Sequence, residues 1–375
     1  MTEQTAPVRL RAVLDRMPAY VAGKPPAPVE GLTPHKISSN ENPYPPLPSV
    51  TDALARAAAE LGDTEKMVEA AEKLYGPYRW GRYDVIVLPP AFPYGGMENP
   101  TLTFLTPTFI AGDKSLVGLV AHELAHSWSG NLVTNATYAD GWLNEGFTSY
   151  FENRIMEAIY GPKRAAQEAA LSFDDMEKAF AEEGRNAPIT RLSLPKEEAV
   201  PDGGATGIIY DKGAVFLRTI ERAVGREKWD AYLRSYFDRH AFQPMTSALF
   251  LADLRKNLVK GDKALEQKLQ LDRWVYQPGL PSNVVRPDPA AFAAVDKAVS
   301  AFSGGSAAPA AFSKWTTAEK LRFLNKLPRR MATARLDALG YDSFDKYRGR
   351  TYSEAETELE RDWDKLRGKS KLAWN

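Results

Sequence analysis

Apolar positions along the chain change period several times, and each change marks a predicted element. Residues 65–75 (TEKMVEAAEKL) read as a short helix closed by Gly76-Pro77. Residues 83–88 (YDVIVL) form a continuous apolar run that reads as a buried strand, ended by Pro89-Pro90. Residues 101–110 (TLTFLTPTFI) are β-rich, and Pro107 argues against a central strand at that point. Leu116, Leu119, Val120 and Leu124 then fall at helical spacing, which predicts a helix capped by Ser115 and running to about Trp128. A second helix is predicted from about Asn144 to Tyr160, ended by Gly161-Pro162, and from 163 to about 278 the pattern stays helical with short breaks. Thr316 and Glu319 have capping-box spacing ahead of the apolar run LRFLNKL.

Texture divides the rest. Residues 1–62 are a Pro/Ala-rich arm with an alanine-rich helix near 50–61, and 63–280 are the patterned body. Residues 281–313 are rich in Pro, Ala, Gly and Ser and read as a linker. Residues 314–375 form a helical C-terminal segment whose last stretch, 353–369, is strongly charged and reads as a solvated helix. No repeat of 20–50 residues is visible. The expected fold class is α+β: mainly helical with a small sheet near the start of the body.

Composition narrows the function classes. Of 375 residues, 44% are apolar and 26% charged, as in an ordinary soluble protein. Lys plus Arg and Asp plus Glu are 48 each, so no global field points to nucleic acid or a membrane surface. There is no cysteine, which excludes disulfides, iron–sulfur clusters and thiolate metal sites and fits a reducing compartment. The N-terminus lacks the apolar core and cleavage site of a secretory signal, and no apolar stretch approaches the roughly 20 residues of a membrane helix. A cytoplasmic location is the expectation.

The chemistry centres on H-E-L-A-H at 122–126. Positions i and i+4 share one face of a helix, so His122 and His126 can bind the same ion. A catalytic zinc takes three protein ligands and keeps one position open. Glu145, near the start of the following helix, supplies the third. Glu123, between the histidines, is then placed to take a proton from water and pass it to a leaving amine. A bare H-E-x-x-H also arises by chance, but here it comes with Asn144-Glu145 on a second helix and few competing histidines. The chain has four His, and His35 and His240 read as surface or packing residues.

Three motifs in this order, G-G-M-E-N at 95–99, H-E-x-x-H at 122–126 and W-L-N-E-G at 142–146, resemble the gluzincin zinc aminopeptidases, with the leukotriene A4 hydrolases and their bacterial relatives as the nearest branch. The similar region runs from about Asp63 to Pro281 and more weakly to the C-terminus. The resemblance implies a thermolysin-like catalytic domain followed by a helical segment, one Zn2+ per chain, and peptides with a free N-terminus as substrates. It implies that Glu98, flanked by Met97 and Asn99, binds the substrate α-amino group, which makes the enzyme an exopeptidase. Gly95 and Gly96 let backbone approach the substrate. Tyr210, in I-Y-D-K-G, matches the tyrosine that donates to the oxyanion, with a buried structural tyrosine as the plain alternative. Tyr94 matches an aromatic of the first substrate pocket, and Gly141 stands where a bulky aromatic often sits. Asp202 falls where the leukotriene hydrolases keep an aspartate for epoxide opening, but Gly203-Gly204 and Ala205 replace the aromatic stretch usual there. Glu152 is either a partner of a zinc ligand or a surface charge.

Two departures go with the resemblance. The family's N-terminal β-sheet domain has no counterpart here, which predicts exposed apolar surface, and the chain ends inside the family's C-terminal helices. Residues 8–60, with KISSNENPYPPLPSV at 36–50, instead resemble the N-terminal arm of histidinol-phosphate-type aminotransferases; without the large domain that carries the cofactor lysine, no pyridoxal phosphate is expected. The expected function is a zinc-dependent aminopeptidase. The alternatives are a zinc-binding but inactive fragment or chimera, an epoxide hydrolase side activity, and an aminotransferase-like protein.

Overall fold

Helices between residues 64 and 276 bury their apolar stripes in one aromatic-rich core, and the short strands lie beside it. The computed structural model describes residues 30–31, 45–89, 91–194 and 207–328. The chain divides into two compact units at Ala55/Arg56. The described part of the first is a turn at 30–31, residues 45–47 and the opening of helix α1 (Pro48–Leu61); Leu47, Val50 and Leu54 are exposed. Most of the aminotransferase-like stretch, His35, Asp202 and residues 353–369 lie outside the described residues.

In the second unit α2 (Thr64–Tyr75) ends at Gly76 as predicted, with the Gly76 amide on the Glu72 carbonyl. Strands β1 (Asp84–Val87), β2 (Gly96–Met97) and β3 (Leu102–Leu105) form one sheet in the order β1-β3-β2, parallel across β1–β3 and antiparallel across β2–β3. β1 is an outer strand and only partly buried, with Ile86 41% exposed. An apolar run alone cannot distinguish an edge from a centre, so the expected burial of 83–88 is corrected. β3 is the central strand, and Pro107 falls outside it, opening a 3-10 turn.

Helix α3 (Gly118–Ala125) is shorter than predicted. Ser115 does not cap it; the Ser115 amide itself is held by Asp113 Oδ1 at 2.9 Å, and the helix proper begins after Val117. After β4 (Val133–Asn135), α4 (Trp142–Tyr160) runs to Gly161 as expected, and Pro162 opens α5 (Pro162–Glu183) instead of stopping the chain. Then come α6 (Ile208–Val224), α7 (Arg226–Arg239), β5 (Gln243–Met245), which pairs parallel with β4, α8 (Ser247–Leu254) with a π-helical turn after it, α9 (Lys263–Leu269) and α10 (Leu271–Tyr276). The fold is thus helix-rich with two small sheets. Trp142, Phe147, Phe151, Phe216, Phe237 and Phe250 form a contiguous set of tilted and edge-on rings at its centre.

The α4–α6 crossing is unusually close. A Cβ at Gly213 would lie 2.6 Å from the Gly146 Cα, and one at Gly146 would lie 2.8 Å from the Gly213 Cα. Backbone therefore meets backbone one residue beyond Glu145 and three beyond Tyr210.

The segment expected to be a linker carries structure. A 3-10 turn at Pro289–Phe292 leads into α11 (Ala293–Ser303), and α12 (Thr317–Lys326) packs on it. Phe292, Val295, Phe302 and Phe323, with Ala170 of α5, make a second small core. The capping box of α12 forms as predicted: Thr316 Oγ1 accepts from the Glu319 amide at 3.2 Å, and Glu319 Oε2 accepts from the Thr316 amide at 3.1 Å. Thr316→Ala is expected to cost about 1 kcal/mol, felt locally. Faster amide exchange confined to α11 and α12 is the check; a change spread over the main core would contradict it. Among the described residues no helix is long and apolar enough to cross a membrane.

Candidate active site

α3 and α4 lie against each other and bring the two halves of the sequence motif together. His122 stands in the last turn of α3 and His126 just past its end; their rings are 4.9 Å apart and nearly perpendicular. The Nδ1 atom of each is held from behind. His122 Nδ1 meets Glu152 Oε2 at 3.1 Å, and His126 Nδ1 lies 3.0 Å from the Ser129 carbonyl and 3.1 Å from Thr148 Oγ1. Both Nε2 atoms are thereby turned to one point, 3.4 and 3.5 Å from Glu145 Oε2.

Glu145, in the first turn of α4, sits where the helix dipole favours a carboxylate. Its Oε2 is buried and accepts no hydrogen bond. Burial works against its charge, but the imidazoles of His126 and His122 and the Tyr210 hydroxyl outweigh this and hold it below the usual carboxylate range. Tyr210, in the first turn of α6, lies nearly parallel to the His122 ring, 6.2 Å away, with Glu145 among the groups that act on its phenol. Burial, with the neighbouring carboxylates, pushes its phenol above the ordinary value, so it stays a donor.

Glu123 is buried, with Oε2 unpartnered. Burial pushes its carboxyl up to about 7; the two imidazoles pull it down, and Glu98 and Glu145 push it up again. Gly96 explains how it is seated: a Cβ there would lie 2.1 Å from Glu123 Oε1. The backbone of β2 thus closes on the carboxylate. Glu98 follows β2, its carbonyl accepting from Asn131 Nδ2 at 2.7 Å and its Oε1 at the limit of a contact with Asn144 Nδ2, 3.5 Å. Gly95 ties β2 to the segment after β3, its carbonyl accepting from the Thr106 amide at 2.8 Å. Met97 pairs with Phe104, and the Asn99 carbonyl accepts from the Leu102 amide. Tyr94 is 41% exposed and packs edge-on against Phe92.

His122, His126 and Glu145 form one group able to hold a cation, and Glu98, Glu123 and His126 form another. Two imidazoles and a carboxylate, with an orphaned buried carboxylate oxygen at their meeting point, are the donor set of a catalytic zinc. The family model of the "Peptidase family M1 domain" matches residues 59–274. The chain belongs to peptidase family M1. Zinc is the metal of this M1 chain, consistent with its donor set. The M1 chain is 44% identical over 223 residues to a leukotriene A-4 hydrolase homolog of Botryotinia fuckeliana, covering 59% of this chain and 34% of that protein. It is 43% identical to leucine aminopeptidase 2 of Sclerotinia sclerotiorum, covering 58% and 36%. The solved structure of native leukotriene A4 hydrolase from Saccharomyces cerevisiae superposes with a TM-score of 0.66 at 30% identity, covering 79% of this chain and 50% of that one. The M1 chain spans about a third of the length of these curated relatives.

Several supporting residues escaped the sequence reading. Ser129 and Thr148 fix His126, and each lies three residues beyond a motif residue, His126 and Glu145 respectively, a spacing that marks them in hindsight. Gly118 makes room for Glu152, since a Cβ there would meet Glu152 Oε1 at 2.8 Å. Glu152 itself is 5% exposed and faces His122, so of its two readings the surface charge is corrected. His240 is a packing residue, with Nε2 2.9 Å from Asp253 Oδ2. Glu152→Gln is expected to weaken zinc binding about 10–100-fold, because it removes the charge that orients His122. Competition against a calibrated chelator measures this; unchanged affinity would return Glu152 to a purely structural role.

Proposed function

We propose that the chain is a zinc aminopeptidase that removes the N-terminal residue of peptides, with His122, His126 and Glu145 holding one ion. The observation that carries this reading is the convergence of both Nε2 atoms on Glu145 Oε2 with Glu123 and Glu98 beside them. When bound, the ion supplies Lewis acidity, making water a better acid and the scissile carbonyl a better electrophile. The chain's own groups do the rest. Glu98 binds the substrate's α-ammonium, and its fixed position relative to Glu123 limits cleavage to the first peptide bond. Glu123 takes a proton from the attacking water and delivers it to the leaving amine. Tyr210 donates its phenolic hydrogen to the oxygen that becomes negative. The body from 63 to 280 is read as a thermolysin-like catalytic domain, and 314–375 as its helical C-terminal segment.

The test is metal content and hydrolysis of an aminoacyl chromogenic amide on one purified sample. One zinc per chain, with turnover lost on chelation and restored by zinc, is the expected result. Zinc without turnover on a broad panel of aminoacyl amides would reduce the chain to a metal binder.

A further inference from the structure

Residues 129–131, just past α3, join the metal-binding group to Glu98. Glu98 follows β2, which is two residues long and whose pairing with β3 stops at Met97. The ladder therefore does not reach Glu98. The 129–131 turn does. Three contacts tie it to the metal-binding residues. The Ser129 carbonyl faces His126 Nδ1 at 3.0 Å, and the Asn131 amide donates to the His126 carbonyl at 3.0 Å. Ser129 Oγ donates to the Leu143 carbonyl at 2.6 Å, two residues before Glu145. From the same turn, Asn131 Nδ2 donates to the Glu98 carbonyl at 2.7 Å. A carbonyl only accepts, so the side-chain NH2 of Asn131 must be the group that faces it.

The turn runs close to both of its neighbours. Gly130 has φ +113°, and a Cβ there would lie 2.3 Å from Asn144 Oδ1 and 3.0 Å from His126 Nδ1. Asn144 Nδ2 lies 3.5 Å from Glu98 Oε1.

We propose that Asn131 is a positioning residue that sets the distance between Glu98 and the metal centre, so that one substrate can place its ammonium on Glu98 and its first carbonyl at the metal together. This rests on the reading of Glu98 as the ammonium's partner and of His122, His126 and Glu145 as the zinc ligands. Asn131 touches no reacting atom. It links the backbone of a metal ligand to the backbone of Glu98, each through one hydrogen bond. Without the NH2 group the Glu98 carbonyl loses that donor, and the end of β2 can shift relative to α3. Binding at two points gains most when the spacing between them is held in advance.

The probes are leucine hydroxamate and its desamino analogue, which share the metal-binding group and the side chain and differ in the free amine. Each is titrated calorimetrically into the full chain carrying its zinc. The ratio of the two dissociation constants measures what the ammonium adds, and in the parent chain the amino compound binds more tightly. Asn131→Leu, close in size and without a donor, is expected to cut that ratio about tenfold, while the analogue's affinity and the zinc content stay as they are. Glu98→Gln should cut it too, and the double variant should lose no more than Glu98→Gln alone, because Asn131 acts through Glu98. Should the leucine variant not fold, Asn131→Asp, equal in size and without the NH2 group, gives the same reading. A ratio untouched by substitution of Asn131, a loss shared equally by both hydroxamates, or losses that add in the double variant would overturn the proposal. A parent chain that holds no zinc, or that binds both hydroxamates equally, would instead sink the reading of the site, and this inference with it.

Discussion

Glu123→Gln is expected to lower hydrolysis about 10²–10⁴-fold, the usual worth of a placed acid–base group, while the zinc stays bound. The substitution keeps shape and removes only the ability to take a proton. Glu123 stands outside the His122–His126–Glu145 group, so the metal does not depend on it. The bare backbone of Gly96 leaves the room that the Glu123 side chain fills, and a glutamine of the same shape fits it too. Zinc content and single-turnover rate on the same sample give the answer. Loss of the zinc would mean Glu123 is a ligand, and retention of the rate would mean that another group is the base.

Gly213→Ala is expected to cost at least about 1–3 kcal/mol of stability. The added methyl would sit 2.6 Å from the Gly146 Cα, and backbone has no rotamer with which to yield. α4 and α6 must part. Glu145 precedes Gly146 by one residue and Tyr210 precedes Gly213 by three, so parting the helices shifts the phenol relative to the Glu145 carboxylate that acts on it. A displacement of about 1 Å there costs on the order of 10²-fold in rate. Urea unfolding and kcat should therefore both fall. Tyr210→Phe separates the effects, losing rate with little change in unfolding midpoint. A Gly213→Ala chain that unfolds and turns over like the parent would show that the crossing has slack the geometry denies.

The grouping of His122, His126 and Glu145 was legible because its logic is local. His122 and His126 are one helical turn apart, and Glu145 opens the next helix within a long motif. Helices α2 and α4 were legible for the same reason, apolar positions at helical spacing closed by glycine. What depended on distant partners was not legible. Ser115 has the right residue type for a cap, but Asp113 claims its amide. The run at 83–88 gave no sign that it would lie at the edge of its sheet. Lys212, two residues past Tyr210, is fully buried and donates to the Thr190 and Gln277 carbonyls; burial pulls its ammonium down to about 7. Nothing in I-Y-D-K-G announces that, because both acceptors are backbone atoms far away in sequence. In 281–313 the Gly, Ser and Pro at the ends masked Phe292, Val295 and Phe302, which become apolar anchors only once Ala170 and Phe323 are set against them.

That second small core makes α11 and α12 a unit able to open without the rest. Besides the Ala170 contact, their links to α5 are polar: Arg322 and Lys326 bond Asp174, and Gln167 bonds the Ala291 carbonyl and Glu319. Polar links of this kind loosen with salt, whereas the aromatic core around Trp142 does not. A protease cutting in the exposed 303–307 stretch between α11 and α12 would thus find its site more open at high ionic strength, and the trimmed chain would keep the helices that carry its histidines. In such a molecule the half-life of the tail and the half-life of the metal centre are separate quantities, set by different solvents.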